Sequence, residues 1–125
     1  DLNCFEKLTS VEQDHVIGRE KSSNQEIEDA PPSAHVKRVE QDDFEPPAYV
    51  VRRSSPWIEN QQSGLMFLSF GHSFDAFEKQ LSRMVGMDDG ISDALFTFSK
   101  PITGNYYWCP PLGKEGLNLA QLMSP

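Results

Sequence analysis

One stretch, GLMFLSFG at Gly64–Gly71, limits what this chain can fold into more than any other. Side chains of a strand alternate between its two faces, so Leu65, Met66, Phe67, Leu68 and Phe70 load both faces with apolar surface. The pattern predicts a buried strand. A second β-rich run, Tyr49–Arg53, lies before it, bounded by Pro46, Pro47 and Pro56. The roughly ten residues between the two runs suit an antiparallel connection.

Helical spacing surrounds this pair. Thr9 to Ile17 predicts a short helix, capped by Thr9 or Ser10, with Glu12 in the first turn and Gly18 at its end. Residues 20–34, polar, acidic and closed by Pro31 and Pro32, read as a long surface loop. Phe74, Phe77, Leu81, Met84 and Val85 form a helix stripe, capped by Ser73 and stopped by Gly86. Ile91, Ala94, Leu95 and Phe98 repeat the pattern over a shorter helix. NYYWC at 105–109 reads as a further strand, and LNLAQLM as a frayed helical tail.

The order is helix, strand, strand, helix, short helix, strand. With one strand placed in front it becomes βαββαβ, an α+β, ferredoxin-like arrangement with an antiparallel sheet. The first strand of that topology sits between the third and the fourth. Its absence leaves inner edges unpaired, so the pattern implies a partial domain over 1–112, a tail over 113–125, and an upstream N-terminal domain or fragment.

The composition narrows the function classes. A chain of 125 residues holds one core. Eleven basic against nineteen acidic side chains give a net charge of −8, which argues against a nucleic-acid footprint. No run approaches the roughly 18 apolar residues of a membrane span. Two cysteines, Cys4 and Cys109, lack metal-ligand spacing and are too few for a disulfide scaffold. A reducing, cytoplasmic setting is the expectation. The opening DLNCFEKL carries neither methionine nor a signal-peptide pattern.

Three histidines are present. His15, beside Asp14, reads as a solvated helix position, and His72 as a turn residue at a strand end. His35, in PPSAHVKRV, would read as blandly but for what surrounds it. IGREK at Ile17–Lys21, SAHV at Ser33–Val36, VRRSSP at Val51–Pro56, GLMFLSFG, DGISDALF and FSKPITG at Phe98–Gly104 follow in order at compatible spacing. Together, from about residue 2 to residue 112, they resemble the C-terminal half of the dye-decolorising peroxidases.

That resemblance implies a haem-dependent peroxidase that reduces hydrogen peroxide at haem b and oxidises phenolic or dye-like small-molecule donors. His35 stands where the family places its proximal ligand to haem iron, and a neutral imidazole suits that role. Asp93 matches the carboxylate that holds the other ring N–H of such a ligand; its plainer account is an acid in a helix's first turn. Arg52 matches the distal arginine, whose fixed charge favours the peroxide anion and O–O cleavage. Ser54 matches a distal polar position, and alternation puts it on the face of Arg52 but not of Arg53. Phe67 and its neighbours would wall the haem pocket, or simply pack as core. Arg19 could reach a haem propionate, although a helix C-terminal cation is the simpler account. Tyr106, Tyr107 and Trp108 read mainly as packing, with a role in passing electrons as the alternative. A homo-oligomer is the expected assembly.

The match has departures. The serine before His35 is displaced by one, giving Ser33-Ala34-His35. GMDDG at Gly86–Gly90 fits the letters of the family's distal aspartate motif, yet it follows both His35 and Arg52 and is rejected for that role. The true motif would lie upstream. His72 stands where relatives often carry arginine. Two other readings stay open: a haem-handling protein without turnover, and a cofactor-free ferredoxin-like assembly domain.

Overall fold

The computed structural model describes residues 2–114 and 116–120. A short helix not foreseen in the sequence, α1 (Leu2–Glu6), precedes the expected one, α2 (Ser10–Ile17). Thr9 caps α2 in a capping box: its hydroxyl accepts from the Glu12 N–H while the Glu12 carboxylate accepts from the Thr9 N–H. Gly18 ends the helix at φ 87°, a left-handed position. A Cβ there would lie 2.3 Å from Val36 Cγ2, so glycine is needed for space as well as conformation. The loop that follows folds back on itself: Arg19 bridges Glu26, and Ile27 N donates to Gly18 O at 3.0 Å.

Helix α3 is four residues long (His35–Arg38). Beyond it and a single 3₁₀ turn at Gln41–Asp43 come β1 (Val51–Glu59) and β2 (Gln62–Phe70). They pair antiparallel from Val51↔Phe70 to Glu59↔Gln62. β2 lies close to its expected bounds. β1 runs on to Glu59, well past its expected end at Arg53, because Asn60 and Gln61 both take positive φ (48° and 65°) and make a two-residue turn. Pro56 therefore lies inside β1 rather than ending it. Counted from the turn, it falls at a pair that exchanges no ladder bonds, where a missing N–H costs nothing.

The expectation that β2 is buried is not met. Leu65, Met66, Phe67, Leu68 and Phe70 are all substantially exposed. Among the described residues β2 pairs with β1 alone, and a two-stranded hairpin cannot cover its own faces.

After β2 comes α4 (Asp75–Met84). Phe74 already has helical angles at its N-cap, so Ser73 does not cap the backbone; its hydroxyl bonds the Asp75 carboxylate instead. Gly86, at φ 77°, stops the helix as expected. The predicted shorter helix is one 3₁₀ turn, Ala94–Thr97. Residues 105–109 form no strand; in this topology the last strand draws its ladder bonds from the first, which the described residues do not contain. The region beyond holds a small hairpin of β3 (Leu112–Gly113) and β4 (Gly116–Leu117). The rest of the expected helical tail, from residue 121, lies outside the described residues.

The buried core is small and gathers between α3 and α4. Ala34, Val39, Phe44 and Ala48 are its apolar members, with Arg38, Gln80 and Asp93 as buried polar ones. Gln80 Nε2 donates to Ala48 O at 2.6 Å, and the Arg83 guanidinium stacks 3.6 Å from the Phe44 ring centroid. No helix among the described residues is long and apolar enough to cross a membrane.

Candidate functional site: a histidine–carboxylate pair

The site begins with how His35 and Asp93, 58 residues apart in sequence, come together. Gly86 turns the chain out of α4, and Asp93 N then returns to Met84 O at 2.7 Å. One residue on, Ala94 N donates to Ser33 O at 2.8 Å, stitching this segment to the entry of α3. Asp93 becomes the N-cap of the 3₁₀ turn, its Oδ1 accepting from Leu95 N at 2.8 Å. Its Oδ2 lies 2.7 Å from His35 Nδ1.

Asp93 is 1 % exposed, so both oxygens must be satisfied within the protein, and both are. The His35 ring is 29 % exposed. With the carboxylate accepting the Nδ1–H, Nε2 is the ring nitrogen left to act as a ligand. This donor set fits an axial ligand to a metal: one orientable imidazole nitrogen, backed by a buried acid.

Arg52, Ser54 and Phe67 share one face of the hairpin, as alternation predicts, with Ser54 directly opposite Phe67. Arg52 Nη1 reaches Val39 O at 3.4 Å, so this face looks toward the C-terminal end of α3. Partial burial lowers the Arg52 pKa from its ordinary value. Arg53 turns away and is exposed. Phe67 stacks on Phe77 of α4 at 6.4 Å between centroids. Ser69, opposite Arg52 on the same face, was missed in the sequence; its buried hydroxyl has no hydrogen-bond partner among the described residues.

Other sequence candidates fall elsewhere. Arg19 donates to Glu26 and to Asn24 O, each at 3.0 Å, and closes the loop after α2. His15 and His72 are exposed, one on α2 and one in a bend. Tyr106 packs on Phe74 (4.5 Å) and Phe77 (6.2 Å). Burial foremost, then Glu78, raises its pKa.

The sequence also hid a buried cation. Arg38 reads there as half of a basic dipeptide, yet it is 4 % exposed. Its two terminal nitrogens fork onto Asp89 at 2.7 and 2.8 Å, and one also donates to Arg83 O. Those bonds hold the Asp89 carboxyl down at about 2, with help from the Ile91 N–H. In GMDDG, then, Asp89 is taken up by Arg38 and Asp88 accepts from Ser82 at 3.1 Å. The only advance signal was an arginine three residues after a histidine, which puts both on one helical face.

Fold and site thus define an α+β domain in which a histidine is paired with a buried carboxylate. The family model for the C-terminal domain of Dyp-type peroxidases matches residues 1–114, and the chain belongs to that family. It is 30 % identical over 116 residues to a dye-decolorizing peroxidase of Mycolicibacterium paratuberculosis, covering 88 % of this chain and 33 % of the relative. A dye-decolorizing protein from V. cholerae superposes with a TM-score of 0.70 at 33 % identity, over 78 % of this chain and 33 % of that one. A DypB variant of Rhodococcus jostii, in complex with haem, superposes with a TM-score of 0.66 at 25 % identity, over 78 % and 33 % of the two chains. The chain therefore spans about a third of the length of the relatives it matches.

Proposed function

We propose that this chain is the haem-binding part, residues 1–112, of a cytoplasmic peroxidase that uses b-type haem. The substrates would be hydrogen peroxide and a phenolic or dye-like donor. The observation that carries the proposal is the 2.7 Å contact between His35 Nδ1 and buried Asp93, which leaves Nε2 free. Family membership supports it, and so does the orphaned Ser69 hydroxyl on the face that bears Arg52.

When bound, haem supplies the redox chemistry that passes two electrons to hydrogen peroxide and then recovers them from a donor. His35 would hold the iron through Nε2. Asp93, by accepting the Nδ1–H, keeps the ring in the ligating tautomer and makes it a stronger electron donor. Arg52 would place a fixed positive charge where the peroxide anion sits and negative charge develops. Ser54 would hydrogen-bond the bound peroxide or a water. Phe67 would supply apolar wall, while loop closure with Glu26 remains the simpler account of Arg19. An upstream domain and self-association would complete the enzyme. Two cysteines, too few for a disulfide scaffold, favour a reducing compartment.

The test is the absorption spectrum after adding haemin to the protein and to its His35→Ala variant. A Soret band that forms in the first and collapses or shifts in the second is the expected result. An identical band in both, or binding by neither, removes His35 as ligand and leaves an assembly domain as the better account.

A further inference from the structure

A four-residue helix cannot hold its own place. Nucleating a helix is unfavourable and only further turns repay it, and α3 has no side-chain cap at its N-terminus. The orientation of His35 must come from contacts outside α3. Three of them involve charged side chains: Lys37 makes a long, partly exposed pair with Glu26 at 3.7 Å, whereas the two short ones both reach the stretch that leaves α4. His35 meets Asp93, and Arg38 forks onto Asp89. The two donors are three apart on α3, hence on one face, and about 4.5 Å apart along its axis. The two acids stand four apart in the segment that leaves α4.

One contact would let α3 pivot about the His35–Asp93 line. A second, displaced along the helix, removes that freedom. We infer that the Arg38–Asp89 pair is a positioning device for His35, fixing the tilt of α3 so that the His35–Asp93 bond forms and Nε2 points one way. Neither residue touches the ligand; both act through α3. Arg83 O, at the end of α4, accepts from the same guanidinium and ties the pair to the longer helix. Asp89 itself is held from the other side, its Oδ1 accepting from Ile91 N at 2.9 Å. The consequence for haem rests on the ligand role proposed above, whereas the effect on the imidazole does not.

The experiment uses Asp89→Asn, which keeps size at a half-exposed position, and Arg38→Lys, which keeps charge but loses the fork. Without haem, ¹⁵N shifts of the His35 ring report its tautomer: a single Nδ1–H form in the parent, and a mixture in both variants. With haem, transfer to apomyoglobin should run about tenfold faster, the lower end of what outer partners of a metal ligand cost, and the ferrous iron–histidine Raman band should broaden. An unchanged tautomer in both variants overturns the inference. If His35→Ala leaves haem binding untouched, the ligand role fails separately, and the tautomer measurement still decides whether Arg38 and Asp89 position the ring.

Discussion

Replacing Asp93 tests the site most directly, because its carboxylate serves two partners and water serves neither oxygen well. In Asp93→Ala the bond to Leu95 N is lost, an N-cap interaction of about 1 kcal/mol. The bond to His35 is lost as well. Hydrogen bonds to charged groups contribute roughly 1.5–3 kcal/mol, and the lower end applies since the abandoned ring, 29 % exposed, regains water. The total is about 2–3 kcal/mol. In Asp93→Asn the amide oxygen keeps the cap, but the amide NH2 then faces Nδ1, so the ring must switch to the Nε2–H tautomer to accept from it; the bond survives without charge assistance, a cost of about 1 kcal/mol. Urea unfolding followed by circular dichroism should show the midpoints falling in that order with the slope unchanged. A loss below about 1 kcal/mol in Asp93→Ala would mean that these bonds do not fasten the 86–98 segment to α3, and the reasoning about His35 would fall with it.

Two further outcomes follow from the same geometry. Gly18→Ala should cost about 2–4 kcal/mol by thermal melt, combining a left-handed φ with a Cβ driven to 2.3 Å from Val36; a near-neutral change would show that α2 and α3 do not abut as described. Asp89 has a folded pKa of about 2, below its ordinary 3.8. The stability from its pair with Arg38 is therefore complete above the ordinary value and lost as pH falls from about 4 toward 2. Acid titration should show the parent and Asp89→Asn differing by a constant amount above pH ~5, the gap narrowing below ~4 and closing near ~2; a gap that persists at the lowest pH would assign the difference to something other than ionisation.

Local rules carried far in this sequence because the groups they concern lie within a few residues of each other. The α2 capping box, the Gly18 and Gly86 stops, and the shared face of Arg52 and Ser54 all depend on fixed offsets of helix or strand geometry. The same rules failed where a long-range partner decides. Asn105–Cys109 has strand-forming residues but no neighbouring strand among those described, and a lone strand has nothing to bond. The apolar run of β2 promised burial, yet composition only states a demand for cover and does not supply it.

By itself, then, the sequence determined α2 and α4, the hairpin's faces, the family and the candidates His35, Asp93 and Arg52. Only the tertiary structure decided that His35 and Asp93 meet at 2.7 Å and that Arg38, a surface residue to any local rule, is buried on Asp89. The physical reason is the same in both cases. Burial and hydrogen bonding of a side chain belong to the packing of α3 against the end of α4, and no offset along the chain encodes that packing.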